Sequence, residues 1–353
     1  MVRDKTFDLA KFIVMLFVVY GHMPWFLTEK TDGMSYFSNF NIGVAMPLFF
    51  IVSGYFAHNT IYSGGRKIIA RIVSLLWPLA SFGFCFASML FLFGEISLLK
   101  LLGWPFIRIL YGGWFLTTLA IVYMAHYIAI KMGKTLPLQV AILCFLYAIF
   151  LFLPRQGYIF YWTGNTVNMF PYFTFGFLVL KRFTVFRDWR ISIPCLVIFL
   201  MVVFFEGDIH TNGMGFYWTK SDWRSILLDS HAFACFIGRF LVGVIGTISL
   251  LWSVDVLTTM FQFLNNLSVF GTTTLGVYVL HEYPLRMIHK YGWFDSSSLS
   301  SFWRFPLTLV VFFICHGLIM LIRKNVTLKY LFFGNEKWFT AQRKKSNGIS
   351  RNT

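Results

Sequence analysis

The sequence predicts an all-α fold, a polytopic bundle of about ten transmembrane helices. Only 12% of the 353 residues are charged and 58% are hydrophobic, whereas a soluble domain carries about 25% charged residues. A chain with so little charge cannot cover a surface that faces water. The apolar residues also gather in long runs, each of roughly the length that crosses a bilayer. These observations exclude a disordered chain, a fibrous repeat and almost every class of soluble enzyme.

Each apolar run is expected to be a helix, because a lone segment in lipid must satisfy its own backbone hydrogen bonds. Residues 1–334 therefore form the predicted transmembrane domain. Residues 335–353 are polar and basic, and they are expected to be a disordered tail. The sixth span is the shortest. The predicted spans are 7–27, 40–58, 72–94, 113–131, 136–154, 168–181, 190–206, 232–254, 268–290 and 302–322.

The net charge of +16 is interpreted as an orientation signal rather than as a nucleic-acid surface. Most Lys and Arg residues occur at the two termini or in the even-numbered connections between spans, and most acidic residues occur in the odd-numbered ones. Because basic residues collect on the cytoplasmic side of a membrane, both termini are predicted to be cytoplasmic. The five Cys residues lie far apart inside apolar runs, so neither a disulfide framework nor a metal site is expected.

The first span carries three ionisable residues, which are costly in lipid and are therefore candidates for function. Asp8 and Lys11 are three residues apart, so they can pair on one helix face. Lys11 and His22 also share a face, and about 16 Å along the helix axis separates them. Imidazole titrates near neutrality, so His22 is a candidate general base. A purely structural interpretation, a histidine hydrogen-bonded near the outer interface, remains open.

Other ionisable residues lie in later spans. Arg239 has no evident partner within its own span, so it must find one across the bundle or face an aqueous cavity that binds an anion. His281 and Glu282 come near the predicted outer end of the ninth span, where an interfacial position is the alternative to a functional one. His126 is a further candidate in the fourth span. None of the histidines shows the ligand spacing of a metal site within a span.

At these residues the chain resembles a known family. DLAKFIVMLFVVYGH (8–22) resembles the opening of membrane-bound acyltransferase family 3, in which Arg or Lys precedes His by the interval that separates Lys11 from His22. The family's basic loop often reads Arg-x-x-Arg or Lys-Lys-x-x-Arg, whereas Lys67 and Arg71 have the spacing Lys-x-x-x-Arg. The resemblance is to the short members without a periplasmic hydrolase-like domain. It continues in order through MPLFFIVSGYF (46–56), GRKIIARIVSLLWP (65–78), GGWFLTTLAIVY (112–123), NMFPYFTFGFLVLK (168–181) and GTTTLGVYVLHEYP (271–284).

The resemblance implies an integral O-acyltransferase of the bacterial cytoplasmic (inner) membrane, among membrane lipid. It implies acetyl-CoA or another acyl-CoA as the donor co-substrate, with no bound cofactor. The acceptor would be a hydroxyl of a lipid-linked or exported glycan such as O-antigen, capsule or exopolysaccharide. Which acceptor, which acyl group and which oligomeric state apply stays open.

The resemblance also implies roles for individual residues. His22 would be the base on the acceptor hydroxyl or a transient acyl carrier, and Lys11 would hold the donor or pair with Asp8. A cationic group on the cytoplasmic side suits the phosphates of CoA, and Arg66, Lys67 and Arg71 supply it. The remaining candidates for the substrate cavity are Asp8, Ser53, Tyr55, Arg239, His281 and Glu282.

A transporter or flippase for a polar or lipid-linked glycan is the main alternative. Ten spans with a central cation and a central histidine would also suit proton-coupled export. Transporters often contain two-fold repeats with broken helices at matching positions, and the sequence shows no such symmetry. A scaffolding subunit would have no reason to place Lys11 and His22 on one face inside lipid.

Overall fold

A computed structural model of the chain describes residues 4–27, 41–153, 161–180, 185–205, 230–291 and 301–334. Every regular element within these ranges is a helix, as apolar segments in lipid require. The predicted tail at 335–353 lies outside the described residues. So does nearly all of the long connection between the seventh and eighth predicted spans.

The first half of the described chain forms helices α1 to α7. Single π-helical turns at Asn41–Ala45, Arg108–Gly112 and Gly176–Leu180 adjoin α2, α4 and α7. The helices are α1 Lys5–Leu27, α2 Met46–Tyr62, α3 Gly65–Leu92, α4 Leu98–Ile107, α5 Trp114–Met132, α6 Leu136–Phe152 and α7 Tyr161–Phe175.

The second half forms helices α8 to α14, with short 3-10 turns at Val185–Arg187 and Ser268–Thr272. The helices are α8 Trp189–Phe205, α9 Ser230–Met260, α10 Leu264–Leu267, α11 Thr274–Leu280, α12 Glu282–Lys290, α13 Ser301–Lys324 and α14 Val326–Phe333.

Long apolar helices confirm the predicted class, an all-α membrane bundle. Two more apolar helices, Leu136–Phe152 and Trp189–Phe204, are shorter, and the sixth and ninth predicted spans correspond to α7 with its π turn and to α11 with α12. The number of spans therefore stays a prediction. Six helices within the described ranges are long and apolar enough to cross a membrane: Lys5–Met23, Gly43–Tyr62, Gly65–Leu92, Trp114–Met132, Phe236–Met260 and Trp303–Lys324.

Two segments differ from the sequence prediction. The third helix begins at Gly65, seven residues earlier than predicted, so its basic residues are helical and do not lie in a loop. Fully buried Ile68 explains the early start, because its apolar side chain continues the inward face of the helix. The connection at 95–112 contains α4, whose start is capped by Ser97 accepting a hydrogen bond from the backbone N–H of Lys100.

The chain divides into two compact units. The first comprises Met1–Tyr55 with Pro171–Leu321, and the second comprises Phe56–Phe170 with Ile322–Thr353. In the first unit α1 packs against α9, α11, α12 and the turn Ser268–Thr272. The ring of Phe12 on α1 lies 5.2 Å from that of Phe270 and 5.0 Å from that of Phe312. This aromatic contact holds α1 in the middle of its unit.

Glycines let backbones touch within the first unit. A Cβ atom at Gly54 would collide with the carbonyl group of Phe173, and one at Gly176 would collide with the carbonyl group of Ile51. The pair is reciprocal, so α2 and the end of α7 meet backbone to backbone. Small residues of this kind allow membrane helices to approach closely. Gly271 meets the carbonyl group of Asp8 in the same way, which fixes the turn before α11 against α1.

In the second unit α3 packs against α4, α5 and α14. The indole N–H of Trp77 donates to the carbonyl oxygen of Leu331 at 2.8 Å, and the hydroxyl of Ser81 donates to that of Phe332 at 2.9 Å. The ring of Phe82 lies 4.6 Å from the ring of Phe332. These contacts satisfy carbonyl groups in the last turn of α14, which no residue of the helix itself can bond.

Candidate functional site

Asp8 and Lys11 form an ion pair on α1. The Lys11 ammonium lies 2.7 Å from a carboxylate oxygen of Asp8, and their side chains are 24% and 6% exposed. The pairing expected from the three-residue spacing is thus confirmed. Because the carboxylate is buried, the adjacent ammonium keeps its charge from standing alone in an apolar setting. The partial exposure of Lys11 leaves its ammonium accessible from one side.

The start of α1 is fastened by a second set of polar contacts, which the sequence did not reveal. The hydroxyl of Thr6 donates to a carboxylate oxygen of Asp255 on α9 at 2.9 Å. The guanidinium of Arg187 lies 3.0 Å from Asp4 and 3.8 Å from Asp255. These contacts tie α1 to α9 and to the turn before α8, and so fix the position of the Asp8–Lys11 pair.

His22 meets His281 across the first unit. Nδ1 of His22 lies 2.8 Å from the carbonyl oxygen of Val18, and Nδ1 of His281 lies 3.1 Å from that of Val277. Nε2 of His281 lies 3.3 Å from Nδ1 of His22. The ring centres are 4.9 Å apart. The structure therefore brings together two sequence candidates that lie in the first and ninth predicted spans.

The backbone partners assign the protons of the two imidazoles. A carbonyl oxygen can only accept a hydrogen bond, so each Nδ1 carries a hydrogen and donates it. In the neutral ring the Nε2 atom then holds the lone pair. Nε2 of His281 can accept a hydrogen bond from Nδ1–H of His22, and the same N–H also donates to the carbonyl oxygen of Val18. In this tautomer the lone pair of His22 lies on Nε2, the atom that would abstract a proton or attack an electrophilic carbon.

A break in the ninth predicted span places His281. Helix α11 ends at Leu280 and α12 begins at Glu282, so His281 stands between them. Pro284 accounts for the break, because it has no N–H for the carbonyl of Leu280 and its ring crowds that group. His281 is only 1% exposed, so protein surrounds its side chain.

The charged residue beside His281 is partly compensated. The carboxylate of Glu282 lies 3.7 Å from the guanidinium of Arg286 one turn later on α12. Glu282 is mostly buried, whereas about half of the Arg286 side chain is exposed. Tyr278 on α11 approaches from the other direction, with its ring 5.9 Å from that of His281. The histidine pair thus has a carboxylate and a phenol as its near neighbours.

Tyr172 approaches Arg239 from across the bundle and contacts its backbone. The hydroxyl of Tyr172 on α7 donates to the backbone carbonyl of Arg239 on α9 at 2.8 Å. Both residues are buried. Gly243, one turn after Arg239, makes room for the tyrosine ring, since a Cβ there would lie 2.6 Å from it. The sequence missed Tyr172, because an aromatic residue in an apolar run carries no distinguishing signal.

Tyr55 and Ser53 on α2 lie in the first unit, and Ser53 is half-buried. The ring of Tyr55 lies 4.9 Å from that of Phe7, which is one turn before Lys11 on α1. Phe7 and His22 are about 22 Å apart along the helix axis. The structure therefore places Tyr55 at the Lys11 end of α1 and away from His22.

The predicted phosphate-binding residues occupy the first two turns of α3. Arg66 and Lys67 are exposed, whereas Arg71 is half-buried with its guanidinium 5.6 Å from the ring centre of Tyr123 on α5. These three residues and His126 belong to the second unit, and the other sequence candidates belong to the first. Arg71 is held by an aromatic face, so the three cations are not equivalent.

The family comparison agrees with the resemblance seen in the sequence. A family model described as an acyltransferase domain matches residues 4–321. Nothing among curated proteins or among solved structures matches the chain. The matched range contains Lys11, His22, the basic residues of α3 and the His281 region.

Proposed function

Since this chain belongs to acyltransferase family 3, we propose that it transfers an acyl group, in the first instance acetyl, from cytosolic acyl-CoA to a hydroxyl of an exported or surface glycan. Membership of the family and the long apolar helices support an acyltransferase that resides in the membrane. The donor, the acceptor and the bacterial inner membrane follow from the resemblance described above and are part of the proposal.

His22 carries the chemistry in this proposal. It is half-buried in an apolar helix, and its Nδ1 is engaged by the carbonyl of Val18, which leaves Nε2 as the basic atom. Nε2 removes the proton of the acceptor hydroxyl while the hydroxyl oxygen bonds to the thioester carbon. The C–S bond then breaks, and the CoA sulfur leaves as the thiol with the proton from His22. If His22 instead carries the acyl group, Nε2 bonds to the thioester carbon and the C–S bond breaks, so that CoA leaves as the thiolate. The acceptor oxygen then bonds to the acyl carbon as the bond to Nε2 breaks, and the hydroxyl proton passes through His22 to the CoA sulfur.

The basic start of α3 is assigned to the donor. CoA carries phosphate groups, which bind cationic side chains and the free N–H groups of a helix start. Arg66 and Lys67 stand exposed in the first turn of α3 and can move to meet them. Arg71 is held against Tyr123 and offers a fixed charge one turn further along. The resemblance also assigns Lys11 to the acyl donor.

The proposal includes an orientation for the chain. Ten spans with both termini in the cytoplasm put most of the basic residues on the cytoplasmic side. In this arrangement Arg66 and Lys67 face the compartment that contains acyl-CoA. Helix α7 with its π turn, and α11 with α12, then serve as two of the ten spans.

The direct test uses membrane vesicles that contain the native glycan. His22→Ala is expected to abolish transfer of labelled acetyl from acetyl-CoA to the glycan, because it removes the Nε2 atom that takes the proton of the acceptor hydroxyl. His58→Ala is the matched control, since His58 is a half-buried histidine that packs against Tyr62 on α2. Both variants are first checked for membrane insertion. Full transfer by His22→Ala would refute the assigned role.

A second measurement tests the acceptor. Surface glycans from a deletion strain and from the complemented strain are compared by mass spectrometry. The complemented strain is expected to gain the mass of one acyl group per modified sugar, and fragmentation locates the hydroxyl. Identical glycans in the two strains would show that the acceptor is a different molecule.

A further inference from the structure

We propose that His281 is the positioning residue of His22, a role that rests on the function proposed above. It holds the His22 imidazole with the hydrogen on Nδ1 and the lone pair on Nε2. It also supports the positive charge that His22 acquires when it takes the acceptor proton. The geometry of the two rings carries this inference.

The proton on the His281 ring has a fixed position. Its Nδ1–H donates to the carbonyl oxygen of Val277, so its Nε2 can only accept. That Nε2 atom stands 3.3 Å from Nδ1 of His22. An acceptor at this place favours the His22 tautomer in which Nδ1 carries the hydrogen. The reactive lone pair of His22 then lies on Nε2.

The contacts at Nδ1 also stabilise the positive charge that His22 acquires during the reaction. When Nε2 of His22 takes a proton, its Nδ1–H becomes a charged donor, and hydrogen bonds from charged donors are about twice as strong as neutral ones. Val18 and His281 are both in place to accept this bond. No side chain needs to reorganise, which is how a preformed site stabilises a charge in an apolar region.

A histidine suits this position better than a carboxylate. General bases are often oriented by a third group, which in many hydrolases is a carboxylate. An ionised carboxylate inside a membrane span is costly. A neutral imidazole accepts the same hydrogen bond without bringing a charge. The carboxylate of Glu282 stands next to His281 and is partly compensated by Arg286.

A structural histidine would need only part of this arrangement. The bond from Nδ1 to the carbonyl four residues earlier is common to several histidines here, including His126 and Val122 at 2.9 Å. What distinguishes His281 is its second nitrogen, which is directed at another imidazole from a break between two helices. The test must therefore separate the role of Nε2 from that of Nδ1.

Two amide variants make that separation. The end of a glutamine side chain reaches the place of Nε2, so His281→Gln retains an acceptor for His22. The shorter asparagine reaches only the place of Nδ1, so His281→Asn retains the bond to Val277 and loses the acceptor. The maximal rate of acetyl transfer to native glycan and the KM for acetyl-CoA are measured in vesicles. His126→Asn provides the matched control in the second unit.

We expect His281→Asn to lower the maximal rate about 100-fold, the scale of a general-base contribution. The KM for acetyl-CoA should change by less than about 2-fold, since an orienting residue acts on the chemical step. His281→Gln should recover most of the lost rate. His126→Asn should keep the wild-type rate, provided that it inserts and melts normally.

Three outcomes overturn the inference. One is an asparagine variant as fast as the wild type, and another is a glutamine variant as slow as the asparagine variant. The third is a change in the KM for acetyl-CoA with no change in the maximal rate. An inactive His22→Ala with a fully active His281→Asn would remove the positioning role and leave the proposed function standing. An active His22→Ala would remove both the positioning role of His281 and the catalytic role of His22, and acyl transfer by the protein would still stand.

Discussion

The Asp8–Lys11 pair shows how α1 carries charge within an apolar bundle. The carboxylate is nearly enclosed, and the ammonium reaches it from the next turn of the same helix. Removing one partner of such a pair leaves a charge without its counter-ion, whereas removing both leaves none. The partial exposure of Lys11 reduces the size of this effect, because solvent screens the charge.

A double-mutant cycle measures the pair. We expect Asp8→Asn and Lys11→Gln each to lower the thermal stability of the protein in detergent. The loss of stability in the double variant should be smaller than the sum of the two single losses. The coupling free energy should be about 1 kcal/mol, within the range seen for contacting residues. Additive losses would show that the two side chains do not support each other. Stability is the readout here, because Lys11 is also assigned to the donor.

The exposed cations at the start of α3 make a separate prediction. Arg66→Ala and Lys67→Ala should each raise the KM for acetyl-CoA about 3- to 10-fold, because a charged hydrogen bond to phosphate contributes of order 1 kcal/mol at an exposed site. The effect should shrink as salt is added. Lys134→Ala is the control, since Lys134 is also exposed and lies in the connection after α5. An equal rise for Lys134→Ala would indicate nonspecific attraction.

Part of the candidate site could be predicted from the sequence and part could not. The contact between Asp8 and Lys11 depends on helix geometry alone, so a spacing of three residues predicts it. The contact between His22 and His281 joins residues 259 positions apart. It depends on how α12 packs against α1, and on a helix break at Leu280 that only Pro284 hints at. The contact between Tyr172 and Arg239 could not be predicted either, because the sequence contains many aromatic residues that could lie beside Arg239.

At the scale of helices, backbone contact is the feature that orders the first unit. Gly54 and Gly176 each leave room for a carbonyl group of the other helix, because neither glycine has a Cβ atom. Apolar side chains gain little by leaving lipid for another apolar surface, so tight van der Waals packing has a larger share in helix association. Close approach through small residues maximises that contact.

Alanine at these glycines tests the packing. Gly54→Ala and Gly176→Ala should each destabilise the protein by about 1–3 kcal/mol, the usual cost of overpacking, because backbone atoms cannot move aside as a flexible side chain can. Thermal unfolding in detergent measures the change. Gly317→Ala on α13 is the control, since nothing lies within 4 Å of its added Cβ. It should be neutral or slightly stabilising. Equal effects at all three positions would refute the packing argument.

The sequence predicted the existence of the helices better than their ends. Apolar length alone identified every long helix, because lipid allows few other structures. The start of α3 was predicted too late, since Arg66 and Lys67 look like a loop when only hydropathy is considered. Ile68 at 0% exposure shows that the helix face continues through them. Side chains that are long and charged can extend outward from a helix whose opposite face is buried.

At the scale of the whole molecule, the distribution of charge and the lengths of the helices support different numbers of membrane spans. The basic residues favour an even number of spans with both termini in the cytoplasm. The helices that satisfy the length of a bilayer number six within the described ranges. The difference lies in α6, α8, α7 with its π turn, and α11 with α12, which are shorter or interrupted. Interrupted helices are tolerated at membrane depth where protein surrounds them, as it does around His281.

Labelling of introduced cysteines tests this topology. The ten-span arrangement places Glu95 and Tyr291 outside the cytoplasmic membrane, and Lys134 and Asn266 in the cytoplasm; all four residues are exposed. In a variant with its native cysteines replaced, an impermeant maleimide should label Glu95→Cys and Tyr291→Cys in spheroplasts. It should label Lys134→Cys and Asn266→Cys only after lysis, and all four in denatured protein. Labelling of Tyr291→Cys only after lysis would mean that α11 and α12 do not cross together. The His22–His281 pair would then need a different path for its acceptor.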